Sequence, residues 1–95
     1  MDDKERRAYT YILCIGGKLK KVIGKGWWST KKQMLMQMGA MNAAAFAFKK
    51  TASILVYEKR GGEDDNVWTH ANACEWRGWY IPREITIAAD NRILY

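Results

Sequence analysis

The sequence contains one pronounced helical pattern, over residues 30–48, and the segments on either side of it have the composition of β-strands. Thr30 and Gln33 have the spacing of a capping box, which predicts Thr30 as the N-cap. Apolar residues then recur at the spacing of one helix face, with Leu35 and Phe46 beside it. The predicted face consists of Met34, Met38, Met41, Ala45 and Phe48. A chain with a single helix must bury that face against a sheet.

The segment before the helix predicts a β-hairpin. Residues 8–15 are rich in β-branched and aromatic side chains, the Gly16-Gly17 pair suits a two-residue turn, and residues 18–28 form the return strand. The alternation of the return strand breaks at Lys20-Lys21, which predicts a β-bulge. Strand alternation places Tyr9, Tyr11, Leu13 and Ile15 on one face of the first strand and Ala8, Thr10, Ile12 and Cys14 on the other.

Further strands are predicted at residues 52–60, 67–70, 84–89 and 92–95. The prediction is therefore an α+β fold, an antiparallel sheet of about five to six short strands in the order β-β-α-β-β-β, with one long helix packed on one face. A chain of 95 residues is expected to form a single compact domain over residues 1–95.

Charge is unevenly distributed along the chain. No carboxylate occurs between Arg6 and Tyr57, whereas ten Lys and Arg residues fall in that span. Residues 1–50 carry a net charge of +8 and residues 51–95 a net charge of −2. Segregated positive charge favours encounter with anions, nucleic acid among them. The alternative is that the basic half folds against the acidic residues 63–65.

The first candidate site is the segment IGKGWWSTKKQML, residues 23–35. Lysines in the first turn of the helix would join the helix dipole and free N–H groups in an anion site. Two adjacent tryptophans at a strand end face opposite ways, so one is expected to be exposed and to stack on bases. The predicted nucleic-acid- or anion-binding residues are Lys18, Lys20, Lys21, Lys25, Trp27, Trp28, Lys31 and Lys32. The alternative is that a lysine-rich edge strand only prevents aggregation.

Two further surfaces are candidates for protein contact. An aromatic and cationic cluster resembles the composition of interface hot spots, and it consists of Trp76, Arg77, Trp79 and Tyr80. The alternative for this cluster is a hydrophobic loop that closes the sheet. The back of the helix has only small residues, which suits a homodimer contact or simply favours helix formation. These residues are Gly39, Ala40, Ala43, Ala44 and Ala47.

Catalytic and cofactor motifs are poorly represented in the sequence. His70 and Cys74 are four residues apart, but a thiol–imidazole pair also needs an orienting group and an oxyanion site. No ligand cluster with zinc spacing and no phosphate-binding glycine motif occurs. We therefore predict a protein that is not an enzyme and has no cofactor or metal. The N-terminus has no signal-peptide pattern and no apolar run is long enough to span a bilayer, so a cytoplasmic location is expected.

The sequence thus predicts a small basic non-enzymatic binding module that contacts the phosphate backbone of DNA or RNA through its lysine-rich hairpin and helix N-terminus. The alternative is a small accessory or inhibitor protein that binds an acidic protein partner through an exposed Trp/Arg surface. No membrane partner is expected.

Overall fold

A computed structural model describes residues 7–59, 66–71 and 81–94 of the chain. The described residues form an α+β fold with one helix and six strands, which confirms the predicted fold class. The elements in chain order are β1 (Arg7–Ile15), β2 (Lys18–Trp28), α1 (Lys31–Phe48), β3 (Ala52–Lys59), β4 (Val67–His70), β5 (Glu84–Ile87) and β6 (Ile93–Leu94).

All strand pairs are antiparallel, and the strand order is β2-β1-β3-β4-β5-β6. Because the sheet curls, β2 at one edge comes into contact with β6 at the other. In this order β2, the second strand of the hairpin, is the first strand of the sheet, and β1 lies between it and β3. This placement leaves the lysine-bearing strand at an edge of the sheet, where its outer side has no hydrogen-bonded neighbour in the strand order.

The hairpin between β1 and β2 has the turn that its glycines predict. Gly16 and Gly17 both have positive φ angles, 59° and 81°, which residues other than glycine rarely adopt. In the pairing of β2 with β1, Lys20 has no register partner, which confirms the predicted bulge. Ile23 has none either, so β2 contains a second bulge that the sequence pattern did not reveal. Two bulges in one strand increase its local twist and help the sheet to curl.

The helix begins as the capping box predicts. The backbone N–H of Gln33 donates to Oγ1 of Thr30 at 3.2 Å, and the backbone N–H of Thr30 donates to Oε1 of Gln33 at 3.2 Å. The helix ends at Phe48, after which the N–H of Ala52 donates to the carbonyl of Lys49 at 2.9 Å and the chain enters β3. The helix therefore runs back along the sheet from the end of β2 toward the hairpin turn.

The sheet has an apolar layer on each side. The layer beneath the helix contains Tyr9, Tyr11, Met34, Ile54 and Val56, all buried. The layer inside the curl contains Ile12, Cys14, Leu19, Leu55, Tyr57, Ile85 and Ile87. The two faces predicted for the first strand are confirmed, because tyrosines of β1 lie in the first layer while Ile12 and Cys14 lie in the second. Burial on both faces explains why β3 is apolar almost throughout.

The helix contacts the sheet through a narrower stripe than predicted. Met34, Met38, Met41 and Ala45 lie in the layer beneath the helix, but Phe48 is 82% exposed, and the prediction that it belongs to the buried face is wrong. Fourteen positions after Met34, Phe48 falls about 40° short of a whole number of helical turns. It is also the last helical residue, where the chain turns away toward β3.

No helix in the described parts of the chain is both long and apolar enough to cross a membrane.

Two glycines of β2 leave room for side chains that pack over the strand. A Cβ added at Gly24 would come within 2.8 Å of the terminal methyl group of Met41. A Cβ added at Gly26 would collide with Nε1 of Trp28 and would also meet two carbons of the indole ring. The alternation of glycine with larger residues in this strand therefore follows from the approach of the helix and of the Trp28 ring.

We predict that Gly26→Ala lowers the free energy of unfolding by about 1–3 kcal/mol, because the rigid indole must move to admit the methyl group. Gly39→Ala is the matched control. A Cβ at Gly39 meets nothing within 4 Å, so this change raises stability by about 0.8–1.0 kcal/mol through helix propensity alone. Urea denaturation of both variants measures the two effects. A Gly26→Ala protein as stable as the wild type would contradict the packing described here.

Candidate nucleic-acid interface

The two adjacent tryptophans at the end of β2 face opposite sides of the sheet. Trp28 lies opposite Arg7 in the β1–β2 register, and its side chain is on the helix side of the sheet. Trp27 lies opposite Ala8, and its side chain is on the other side. Trp28 is half-buried, and its indole N–H donates to the hydroxyl oxygen of Tyr11 at 2.8 Å. Trp27 is 64% exposed. The prediction that one tryptophan is held in the fold while the other faces outward is confirmed.

The Tyr11 hydroxyl links three elements. It accepts from Trp28 on β2 and donates to the carbonyl oxygen of Met34 on α1 at 3.2 Å, while its ring is fully buried on β1. Burial raises the pKa of Tyr11, and the hydrogen bond from Trp28 opposes that shift in part. The neutral hydroxyl therefore serves as both donor and acceptor at the junction of the hairpin with the helix.

Lys25 lies next to Trp27 on the face of β2 that points away from the helix. Lys25 pairs with Thr10, and strand alternation brings residues 25 and 27 to the same side. Both side chains are exposed. A flat aromatic ring and a primary ammonium group are thus neighbours on an edge strand, which is the combination that base stacking with a phosphate contact requires.

The remaining lysines divide between the two ends of the helix. Lys18, Lys20 and Lys21 are exposed near the hairpin turn. A hydrogen bond of 3.1 Å from the Gly16 N–H to the Thr51 carbonyl brings the end of the helix to that turn. Lys49 and Lys50, which the sequence did not assign to the site, therefore lie at the same end. Lys31 and Lys32 are exposed at the opposite end, about 27 Å away for a helix of 18 residues.

The lysines of β2 and of the first helical turn have no carboxylate partner among the residues that the structure describes. In residues 7–59, 66–71 and 81–94, Glu58 forms an ion pair with Arg7 at 3.3 Å and Asp90 forms one with Arg92 at 2.9 Å. Within these ranges, no ion pair involves the six predicted lysines, and the first turn of α1 has no acidic residue. The positive field of this edge is therefore not neutralised by the described part of the fold.

A polar cleft lies between the start of α1 and the sheet, and the sequence did not predict it. Its volume is about 330 Å³, and it is lined by Arg7, Tyr9, Trp28, Ser29, Lys31 and Glu58 together with the end of β4. Trp28 and Lys31 are the two predicted site residues that the structure brings together here. The other members come from strands that are distant in sequence, so only the strand order could have revealed them.

A hydrogen-bonded network forms one wall of the cleft. Tyr9 and Glu58 are register partners on β1 and β3, and the Arg7 guanidinium donates to the Glu58 carboxylate. Burial raises the pKa of Tyr9, and the charge of Glu58 and a hydrogen bond to it raise the pKa further, whereas Arg7 opposes the shift. Glu58 is therefore held by two partners from β1, Arg7 and Tyr9.

Other predicted sites have less structural support. The partner-binding cluster Trp76, Arg77, Trp79 and Tyr80, the acidic residues 63–65 and Cys74 lie outside the described residues. The small residues on the back of the helix are all exposed, and Met36 beside them is 66% exposed. A homodimer through this face stays a prediction. In the described part of the chain, no three His, Cys, Asp or Glu residues are grouped closely enough to hold a metal ion.

Comparison of the chain with models of protein families, with curated proteins and with solved structures finds no match. The function must therefore be inferred from the chemistry of the surface itself.

We predict that Tyr11→Phe lowers the free energy of unfolding by about 1–3 kcal/mol, because the indole N–H of Trp28 then lacks its acceptor. A double-mutant cycle with Trp28→Phe isolates the bond, and the expected coupling is about 0.5–3 kcal/mol. The indole N–H resonance of Trp28 should also exchange faster with solvent in Tyr11→Phe. Additive effects of the two substitutions would show that the hydroxyl does not couple the hairpin to the helix.

Proposed function

We propose that the protein is a small non-enzymatic module that binds single-stranded nucleic acid along β2 and the first turn of α1. The observation that carries the proposal is the exposed ring of Trp27 beside Lys25, on an edge strand whose lysines have no ion-pair partner among the described residues. Unpaired bases can stack on such a ring, whereas paired bases cannot reach it. A cytoplasmic location and the absence of a cofactor stay predictions.

The arrangement of the lysines supports an extended ligand. Three lysines lie near the start of β2 and a fourth, Lys25, lies near its end, and eleven strand residues span roughly 35 Å. A single strand that follows β2 would meet ammonium groups near the hairpin turn, then Lys25 and Trp27, then the first turn of the helix. Aromatic stacking contributes about 1–3 kcal/mol per base, and it does not depend on sequence. We therefore propose binding with little sequence preference.

Lysines that only protected the edge strand would not need an aromatic ring beside them. Lysine on an edge strand does discourage pairing with another sheet, and both roles can be met by the same residues. The exposed indole of Trp27, however, is an apolar surface that protection alone disfavours. Its position therefore favours a ligand that contacts both the ring and the ammonium groups.

The second candidate function is binding of an acidic protein partner. The observation that favours it is the exposed back of α1, which has no charged residue between Lys32 and Lys49 and carries Met36 and several alanines. Lysines flank this apolar face at both ends, so a second copy would bring like charges together. An apolar segment with carboxylates at its ends would fit better. Retention of such a partner by the wild type and its loss in Met36→Glu would support this candidate.

We predict that Lys21→Glu/Lys25→Glu abolishes binding of a fluorescein-labelled ten-nucleotide single strand. Two phosphate contacts become repulsive, and each contact contributes about 0.7 to the slope of log K against log salt concentration. The measurement is fluorescence anisotropy at low and at physiological salt, with circular dichroism to establish that the variant is folded.

Lys25→Glu is compared with Arg83→Glu, a matched control that reverses one positive charge at an exposed position directly before β5, with three strands between β5 and β2 in the sheet order. The Arg83→Glu variant should retain most of the affinity. Equal losses in the two variants would mean that only net charge matters. Undiminished binding by Lys21→Glu/Lys25→Glu, or no binding by the wild type at low salt, would contradict the proposal and leave the acidic partner.

A further inference from the structure

The cleft lies where the start of α1 meets the last rungs of the sheet. The helix begins at Lys31, whereas the sheet continues past the helix end to the Arg7–Trp28 pair and to the row formed by Tyr9, Glu58 and Thr69. The cavity of about 330 Å³ is of the size that binds small ligands.

The two ends of the cleft carry opposite charges. Lys31 and the start of the helix lie on the β2 side, where the helix dipole adds to the ammonium charge. Glu58 lies on β3, two strand spacings or about 10 Å from β2. Arg7 on the intervening strand is paired with Glu58. An anionic group is therefore favoured at the Lys31 end and repelled at the Glu58 end.

The wall between these ends is aromatic. Trp28 and Tyr9 both line the cleft. Tyr9 is only 5% exposed, so the half-buried ring of Trp28, held in place by its hydrogen bond to Tyr11, supplies most of this surface. A ligand that fits has an anionic group at one end, a flat ring that can lie against the aromatic side chains, and hydrogen-bond donors that can reach the Glu58 carboxylate. A nucleoside monophosphate has these three features, since its sugar hydroxyls and base amino group are donors and its phosphate is anionic.

We propose that this cleft binds a nucleoside monophosphate unit, with the phosphate at Lys31 and the sugar or base directed toward Glu58. The unit is either the phosphorylated end of a bound strand or a free nucleotide. The inference rests on the proposed function and deepens it, because the cleft adjoins the first helical turn at the end of β2. Arg7 forms an ion pair with Glu58, so it partly compensates the Glu58 charge and reduces its repulsion of the phosphate.

The test uses the full chain and adenosine 5′-monophosphate, with binding followed by isothermal titration calorimetry and by the indole N–H resonance of Trp28. Adenosine and inorganic phosphate, the two halves of this probe, should each bind more weakly.

Lys31→Gln should weaken binding of the mononucleotide about tenfold, the effect of losing one charge-assisted contact. Lys32→Gln is the matched control, since Lys32 is the next residue on the same exposed turn and does not line the cleft. It should leave the affinity within about twofold, as expected for a charge without direct contact.

A second pair of probes identifies the source of the unit. Tighter binding of a 5′- or 3′-phosphorylated oligonucleotide than of its unphosphorylated counterpart, lost in Lys31→Gln, supports the strand end. Binding of the mononucleotide without any effect of terminal phosphate supports a free nucleotide. Both results uphold the cleft.

Two results overturn the inference. The first is that neither the mononucleotide nor the terminal phosphate binds, while unphosphorylated oligonucleotides still bind with the expected salt dependence; the proposed function then survives. The second is that Lys31→Gln and Lys32→Gln weaken the mononucleotide equally, which indicates diffuse charge attraction. Mononucleotide binding that depends on Lys31, without binding of any oligonucleotide, upholds the cleft and refutes the proposed function.

Discussion

The hydroxyl of Tyr11 holds together the part of the molecule on which function depends. It accepts the indole N–H of Trp28 and donates to the backbone of Met34, so β1, β2 and the start of α1 are joined at one buried atom. A buried hydroxyl with both bonds made is stable, whereas either partner left alone would carry a desolvation cost. This one group therefore fixes the angle at which the helix leaves the hairpin.

The orientation of the neighbouring side chains follows from that bond. With Trp28 turned toward the helix over Gly26, strand alternation turns Trp27 to the opposite side and leaves it exposed. The same bond holds the ring that lines the cleft at the start of the helix. An exposed stacking surface and a cleft with a cationic end thus lie on opposite faces of the end of β2. A strand that stacks on Trp27 and ends in the cleft would pass around this edge.

Local patterns in the sequence were sufficient for the elements whose determinants are local. The Gly16-Gly17 turn, the capping box of Thr30 and the two faces of β1 depend on neighbouring residues, and all were predicted. The second bulge and the exposure of Phe48 were not. Both depend on how the sheet curls and on where the helix leaves it, and neither property is encoded within a short window.

In the candidate site, too, some features have local determinants in the sequence and others depend on how the whole sheet is assembled. The exposed tryptophan beside lysines follows from strand alternation and could be predicted, although which of the two tryptophans is exposed could not. The cleft combines Arg7 and Tyr9 of β1 with Glu58 of β3. These residues meet only because β3 pairs with β1 in the sheet, although β2 and α1 separate the two strands in sequence. Pairing of sequence-distant strands is decided by burial of the whole sheet, so a single sequence gives no signal for it.

The proposed function depends above all on the stacking of unpaired bases on Trp27. The most direct measurement follows the indole N–H resonances of Trp27 and Trp28 while an unphosphorylated ten-nucleotide single strand is added at low salt. We expect a large, salt-sensitive shift for Trp27, together with shifts of the backbone amides of β2, and a much smaller change for the indole N–H resonance of Trp28, which donates to Tyr11. An unchanged Trp27 resonance at saturation, or shifts confined to the exposed back of α1, would show that unpaired bases do not stack on Trp27.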